Sequence, residues 1–206
     1  MTSSIAVGTD SEVEVPRFRE GAGRLCLDFV RTLRHRGTSD EVDELPDDTA
    51  LVAWILQFGP KPMGVRSARE DDPGLRDALR LREAVYELIA AGRSPEGVGS
   101  SSFLARELVN RAAYRPSPTP RVDASGALSW HAVDSVEAML ALVARDAVEL
   151  VTSAAMNRVR ECAGPSCGAL FSDNSRPGNR RWCSMGACGN RAKKDTIRSR
   201  GGRSSG

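Results

Sequence analysis

The sequence predicts a mainly α-helical protein, a helical N-terminal domain with one small β-hairpin, ending in a compact module held by cysteines. Three observations carry that prediction. Five segments before the cysteine pairs read as helices, most of them by apolar residues recurring three and four positions apart. One segment around Gly126 alternates instead, as a hairpin does. Four of the five cysteines fall in the last quarter of the 206 residues, in two pairs of equal spacing. At 40% hydrophobic residues, a chain of this length buries a real core.

Residues 1–21 are polar and irregular, and Pro16 opposes an early helix, so they read as a flexible leader. Leu25, Phe29 and Leu33 then lie four apart and predict a short helix packed inward; Cys26 within it reads as a core thiol rather than a redox group. After a charged loop, Asp47 or Asp48 caps a helix through Leu51, Trp54, Ile55 and Phe58, which Gly59-Pro60 ends. Trp54 belongs to the core on this reading. Leu75 to Ala91 is the clearest amphipathic helix, closed by Gly92. Beyond a Gly/Ser-rich linker a helix spans Ser102 to Tyr114, and Pro116, Pro118 and Pro120 forbid its continuation. Residues 121–131 form the hairpin; His131, at its end, has no accompanying ligand motif. Asp134 and Glu137 resemble a capping box and open a long helix that is expected to reach Val159 and deliver the chain to Cys162.

The cysteines stand as Cys162-x4-Cys167, fifteen residues, then Cys183-x4-Cys188. No apolar run is long enough to cross a bilayer and no secretory signal is legible, so membrane association is not expected and a cytoplasmic location is. In a reducing compartment such a cluster reads as a metal site, with one Zn2+ held by Cys162, Cys167, Cys183 and Cys188; an iron–sulfur cluster and a redox dithiol pair are the alternatives. Four thiolates close the coordination sphere, which makes the role structural. Gly164-Pro165 and Gly186 supply the wide turns that four intervening residues require. Residues 169–171 and 180–182 are strand candidates around a polar loop, a hairpin, and residues 189–198 read as a helix whose first turn carries the last ligand. Knuckle, hairpin and helix together make a treble-clef or zinc-ribbon-like finger. The chain has no phosphate-cradling glycine loop and no nucleophile elbow, and only two histidines, so an enzyme is not expected.

Charge divides the chain unevenly. From Arg158 onward there are eleven Arg/Lys against three Asp/Glu, leaving 18 basic against 24 acidic residues before it. A basic module on an acidic body fits a nucleic-acid reader, and Arg176, Arg180, Arg181, Arg191, Lys193, Lys194 and Arg198 are the candidate phosphate contacts. A merely solvated surface is the plainer alternative for these cations. Trp182 is expected to pack on the module's small core, and Arg191 could equally tie the helix to the knuckle.

Cys188-Gly189-Asn190-Arg191, with Phe171, Asp173, Ser175-Arg176, Arg180-Arg181-Trp182-Cys183-Ser184 and Lys193, resembles the CGNR zinc finger family across residues 158–200. In that family the finger follows a domain called ABATE, associated with stress-induced transcription regulation. Residues 22–157 resemble it more diffusely, opening with Leu25 to Thr32, where Arg31 replaces the usual Asn. The resemblance implies a DNA-binding transcriptional regulator with a small-molecule or protein effector on its helical domain, a finger over residues 158–200 and a disordered tail at 201–206. RNA binding, or a zinc-stabilised protein-interaction module, are the other readings.

Overall fold

The computed structural model describes residues 16–64 and 74–194 of the chain. Its body is built from α1 (Leu25–Val30), α2 (Asp48–Phe58), α3 (Gly74–Arg93), α4 (Phe103–Tyr114) and α5 (Ser135–Thr152). Three helices start where the sequence places caps. Asp47 accepts from the Ala50 amide at 2.8 Å, Ser102 from Ala105 at 3.1 Å and Asp134 from Glu137 at 2.9 Å, each satisfying an amide that the first turn leaves without a partner.

Helices α3, α4 and α5 pack on one another, and α1 lies against α3 and α5. Leu81, Val85, Leu88 and Ile89 from α3 meet Val109 from α4 and Met139, Val143, Ala147 and Leu150 from α5 in a single buried core. Trp54 is buried there as expected, edge-on to Phe29 and stacked on Phe58, with both centroid distances 4.9 Å. Cys26 is also fully buried, and burial pushes its thiol well above the ordinary range. At the far end of α4, the Arg145 guanidinium on α5 donates to the carbonyls of Ala113 (2.8 Å) and Arg115 (2.7 Å), a cation on a helix C-terminus. Among the described residues no helix is long and apolar enough to cross a membrane.

Among the described residues the strands form three small two-stranded antiparallel sheets. Thr119–Val122 (β3) and Leu128–His131 (β4) form the expected hairpin, with Gly126 at φ +83° in its turn. The pair Leu33–Arg34 (β1) and Val42–Asp43 (β2) lies where the sequence suggests a helix end and a charged loop. Helix α1 stops early because both the amide and the hydroxyl of Thr32 turn back onto the Phe29 carbonyl, at 3.1 and 2.7 Å. Arg82 of α3 then anchors β2: it is almost fully buried and grips both carboxylate oxygens of Asp43 at 2.7 Å while donating to the Thr32 hydroxyl.

Two helix ends and the leader also differ from expectation. Helix α3 runs past Gly92, whose missing side chain lets Met156 approach; a Cβ there would lie 3.3 Å from its sulfur. Helix α5 ends at Thr152, and a 3-10 turn (Ala154–Arg158) and strand β5 (Val159–Glu161), not a continuous helix, lead to Cys162. Strand pairing overrides helical propensity here, because β5 is needed by β6 (Leu170–Ser172). Residues 16–21, assigned to the leader, are tied down where they are described. Phe18 is buried, and its amide and carbonyl bond to the Gln57 side chain, each at 2.9 Å. Residues 1–15, the tail at 201–206 and residues 195–198 of the expected last helix lie outside the described residues.

Candidate metal centre

Strand β5 carries the chain into Cys162, whose amide donates to Ala169 across the knuckle at 2.9 Å, and Cys167 closes the turn onto the Gly164 carbonyl at 3.0 Å. Gly164 is required by proximity: a Cβ would stand 3.3 Å from the Cβ atoms of both Cys167 and Cys188. On the other side Ser184 caps a π-helical turn, Met185–Gly189, which continues as helix over residues 190–194 and presents Cys188 in its first turn. The backbone amide of Cys183 points at the Cys162 sulfur, 3.3 Å away.

All four sulfurs lie within 4.8 Å of one another, and three of the separations are 3.5, 3.7 and 3.8 Å. Zn–S bonds of about 2.3 Å give a tetrahedron with edges of about 3.8 Å, so the spacing fits zinc. Packed this closely, the four sulfurs cannot all ionise by themselves. The Cys167 thiol is pulled down, to about 4, chiefly by its hydrogen bond with Cys183. Cys183 is pushed up for the reciprocal reason, and Cys188 to about 11, first by burial. A divalent cation at the centre removes the conflict and favours four thiolates.

The expected hairpin between residues 169–171 and 180–182 is not what holds the module. Strand β6 pairs with β5 instead, in the register Val159↔Ser172, Arg160↔Phe171 and Glu161↔Leu170. Residues 173–183 form an irregular loop organised by the buried carboxylate of Asp173. It accepts from the amide and hydroxyl of Ser175 and from the Arg180 amide at 2.8 Å, and the Ser175 hydroxyl foremost holds it below the usual carboxylate range. Gly178, at φ +64°, lies under the Arg158 guanidinium, where any Cβ would be 2.3 Å from Nη1.

With this geometry in place, the comparisons are specific. Residues 23–154 match the family model of the ABATE domain, described as a "putative stress-induced transcription regulator". The chain belongs to the ABATE family. Residues 158–201 match the CGNR zinc finger model, so the cysteine cluster is the finger's structural zinc site, holding one Zn2+ through Cys162, Cys167, Cys183 and Cys188. A comparison with curated proteins gives no significant match.

The CGNR finger is docked on the ABATE domain. The Ser172 amide donates to the Ala22 carbonyl at 2.7 Å, and Gly23 admits Ser172, whose Cβ would lie 3.1 Å from a glycine replacement. The ring of His35 meets the Ser166 carbonyl, Arg93 pairs with Glu161 at 3.1 Å, and Val159, Leu170 and Phe171 join the ABATE core.

Of the candidate phosphate contacts, Arg176, Arg181, Arg191, Lys193 and Lys194 are exposed on the finger. Arg198 lies outside the described residues. Arg180 is a different case. Its guanidinium sits over the Phe171 ring at 4.7 Å, donates through Nε to the Trp182 carbonyl at 2.8 Å and also reaches the Cys183 carbonyl. That side chain braces the knuckle and is committed to the fold. Trp182 is half-buried beside the core, with the Arg181 guanidinium 5.1 Å from its ring. The role of Arg180 was hidden in the sequence because it depends on carbonyls that only the folded loop brings together.

Proposed function

We propose that the protein is a DNA-binding transcription regulator whose CGNR finger contacts nucleic acid and whose ABATE domain senses an effector. The observation that supports it is the exposure of five cations, Arg176 and Arg181 from the loop and Arg191, Lys193 and Lys194 from the ligand-bearing helix, on a zinc-held module joined to an acidic body. Guanidinium and ammonium groups that are not tied up by the fold can replace counterions on a phosphate backbone. The finger is a binding unit and not a catalytic one, since four thiolates leave zinc no open position for substrate. A reducing cytoplasm suits four thiolates, and RNA is the second substrate class against which DNA must be tested.

Binding of the zinc-loaded chain to duplex and RNA pools, measured against salt, tests this reading. Five replaced counterions predict a log–log slope of roughly −4 to −5 on DNA. Replacing Lys193 and Lys194 together with Gln should flatten it by about two, without loss of zinc. Salt-sensitive binding to RNA alone would move the assignment to RNA. No salt-sensitive binding to either pool would leave protein interaction as the role of the basic surface.

A further inference from the structure

The helical body carries a recess that the zinc module does not use. Between α3, α4 and α5 lies an open cavity of about 340 Å³, within the size range of small-molecule sites. Its floor is apolar, made by Leu81, Leu108, Ala112 and Leu140. Its rim is charged: Arg80, Arg111 and Arg115 face Asp77 and Glu137. Arg115 is paired with Glu137 at 3.2 Å, and Asp77 lies 4.0 Å from Arg76. Among the described residues, the side chains of Arg80 and Arg111 make neither a hydrogen bond nor an ion pair.

Past Arg80 and Leu108, which both recesses share, a second depression of about 390 Å³ continues between α3 and α4. Its acids are already satisfied. Glu83 is held by Arg36 and Arg82, and Glu87 accepts from the Ser102 amide. Among the described residues the trough therefore has an apolar floor, acids that each have a partner, and two guanidinium groups, those of Arg80 and Arg111, that have none. Arg145 fixes the α4 end that carries Arg111 and Arg115, so this rim is held in place.

We infer that this trough binds a small monocarboxylic acid with an extended apolar body, its carboxylate between Arg80 and Arg111 and its chain along Leu108. Around the first recess, among the described residues, three guanidiniums face two carboxylates, a balance of +1 that a monoanion neutralises and a phosphate dianion exceeds. A fork of N–H donors also matches the two oxygens of a carboxylate. The apolar floor excludes a purely polar anion as the preferred ligand. This site would give the ABATE domain an effector, and it does not depend on whether the finger binds DNA.

Calorimetric titration of the zinc-loaded full chain with octanoate, 1-octanol and inorganic phosphate provides the test. Octanoate should bind saturably with a Kd below about 1 mM, 1-octanol roughly tenfold or more weaker, and phosphate not at all. The double substitution Arg80→Gln, Arg111→Gln should weaken octanoate by roughly tenfold or more while leaving the melting temperature and zinc content unchanged. Should that variant fail to fold, the octanoate–octanol difference on the unaltered chain decides. The inference is overturned by absence of saturable octanoate binding, by octanol binding as well as octanoate, by phosphate matching it, or by a folded double variant that binds normally.

Discussion

Arg82 shows what a single side chain contributes here. It is a charge in the interior, tolerable because Asp43 takes both Nη donors and Glu83 accepts from Nε at 3.0 Å. For Asp43, partial burial works against ionisation, but the guanidinium fork outweighs it and holds the carboxyl below its ordinary range. A depressed folded value means that the stabilisation is complete above the unfolded carboxyl range and is lost as pH falls through the lower, folded value. Asp43→Asn should therefore cost about 2 kcal/mol at pH 7, less than a fully buried pair because the carboxylate is partly solvated. Denaturant melts at a series of pH values should show the gap between variant and parent closing only below about pH 4. A gap that did not narrow at all as pH fell below about 4 would mean that the charge pair is not its source. The periodicity of α3 was legible, yet the burial of Arg82 was not, because its partner lies 39 residues away on a strand two residues long. The four cysteines are the opposite case: spacing and chemistry alone identify them, since two evenly spaced pairs of soft thiolates suit a closed tetrahedral site.

Elements follow the same division between local and distant causes. Caps at Asp47, Ser102 and Asp134 are local chemistry and start α2, α4 and α5 where the sequence indicates. The end of α5 is set by a strand that its own residues do not reveal. Helix α1 is the element most dependent on its surroundings: six residues are too short to persist alone, and it packs on α3, α5 and β6. Because finger and body share one core, loss of zinc should reach α1 as well as the finger itself. After chelation, hydrogen exchange at the amides of Phe29 and Val30 should rise together with that of β6, while the centre of α5 stays protected. Unchanged protection in α1 would show that the finger merely rests on the body.

At the scale of the whole molecule, the charge division separates a basic module from an acidic body, but the interior does not divide with it. Val159, Leu170 and Phe171 belong to the same buried cluster as Trp54 and Met139, so charge and packing draw different boundaries. The zinc-loaded chain should accordingly unfold in a single transition, with calorimetric and van't Hoff enthalpies equal; two resolved transitions would contradict a common core. Domain identity was legible because motif and composition change near residue 158. The docking was not, since the Ser172–Ala22 hydrogen bond joins residues about 150 apart in the sequence. That bond has a consequence for how the protein is made. At a synthesis rate of about 5–20 residues per second, roughly 8 to 30 seconds separate the emergence of Ala22 from that of Ser172. Helix α1 thus waits for a segment made about 150 residues later, and the nascent body carries an unfinished edge until the finger arrives to close it.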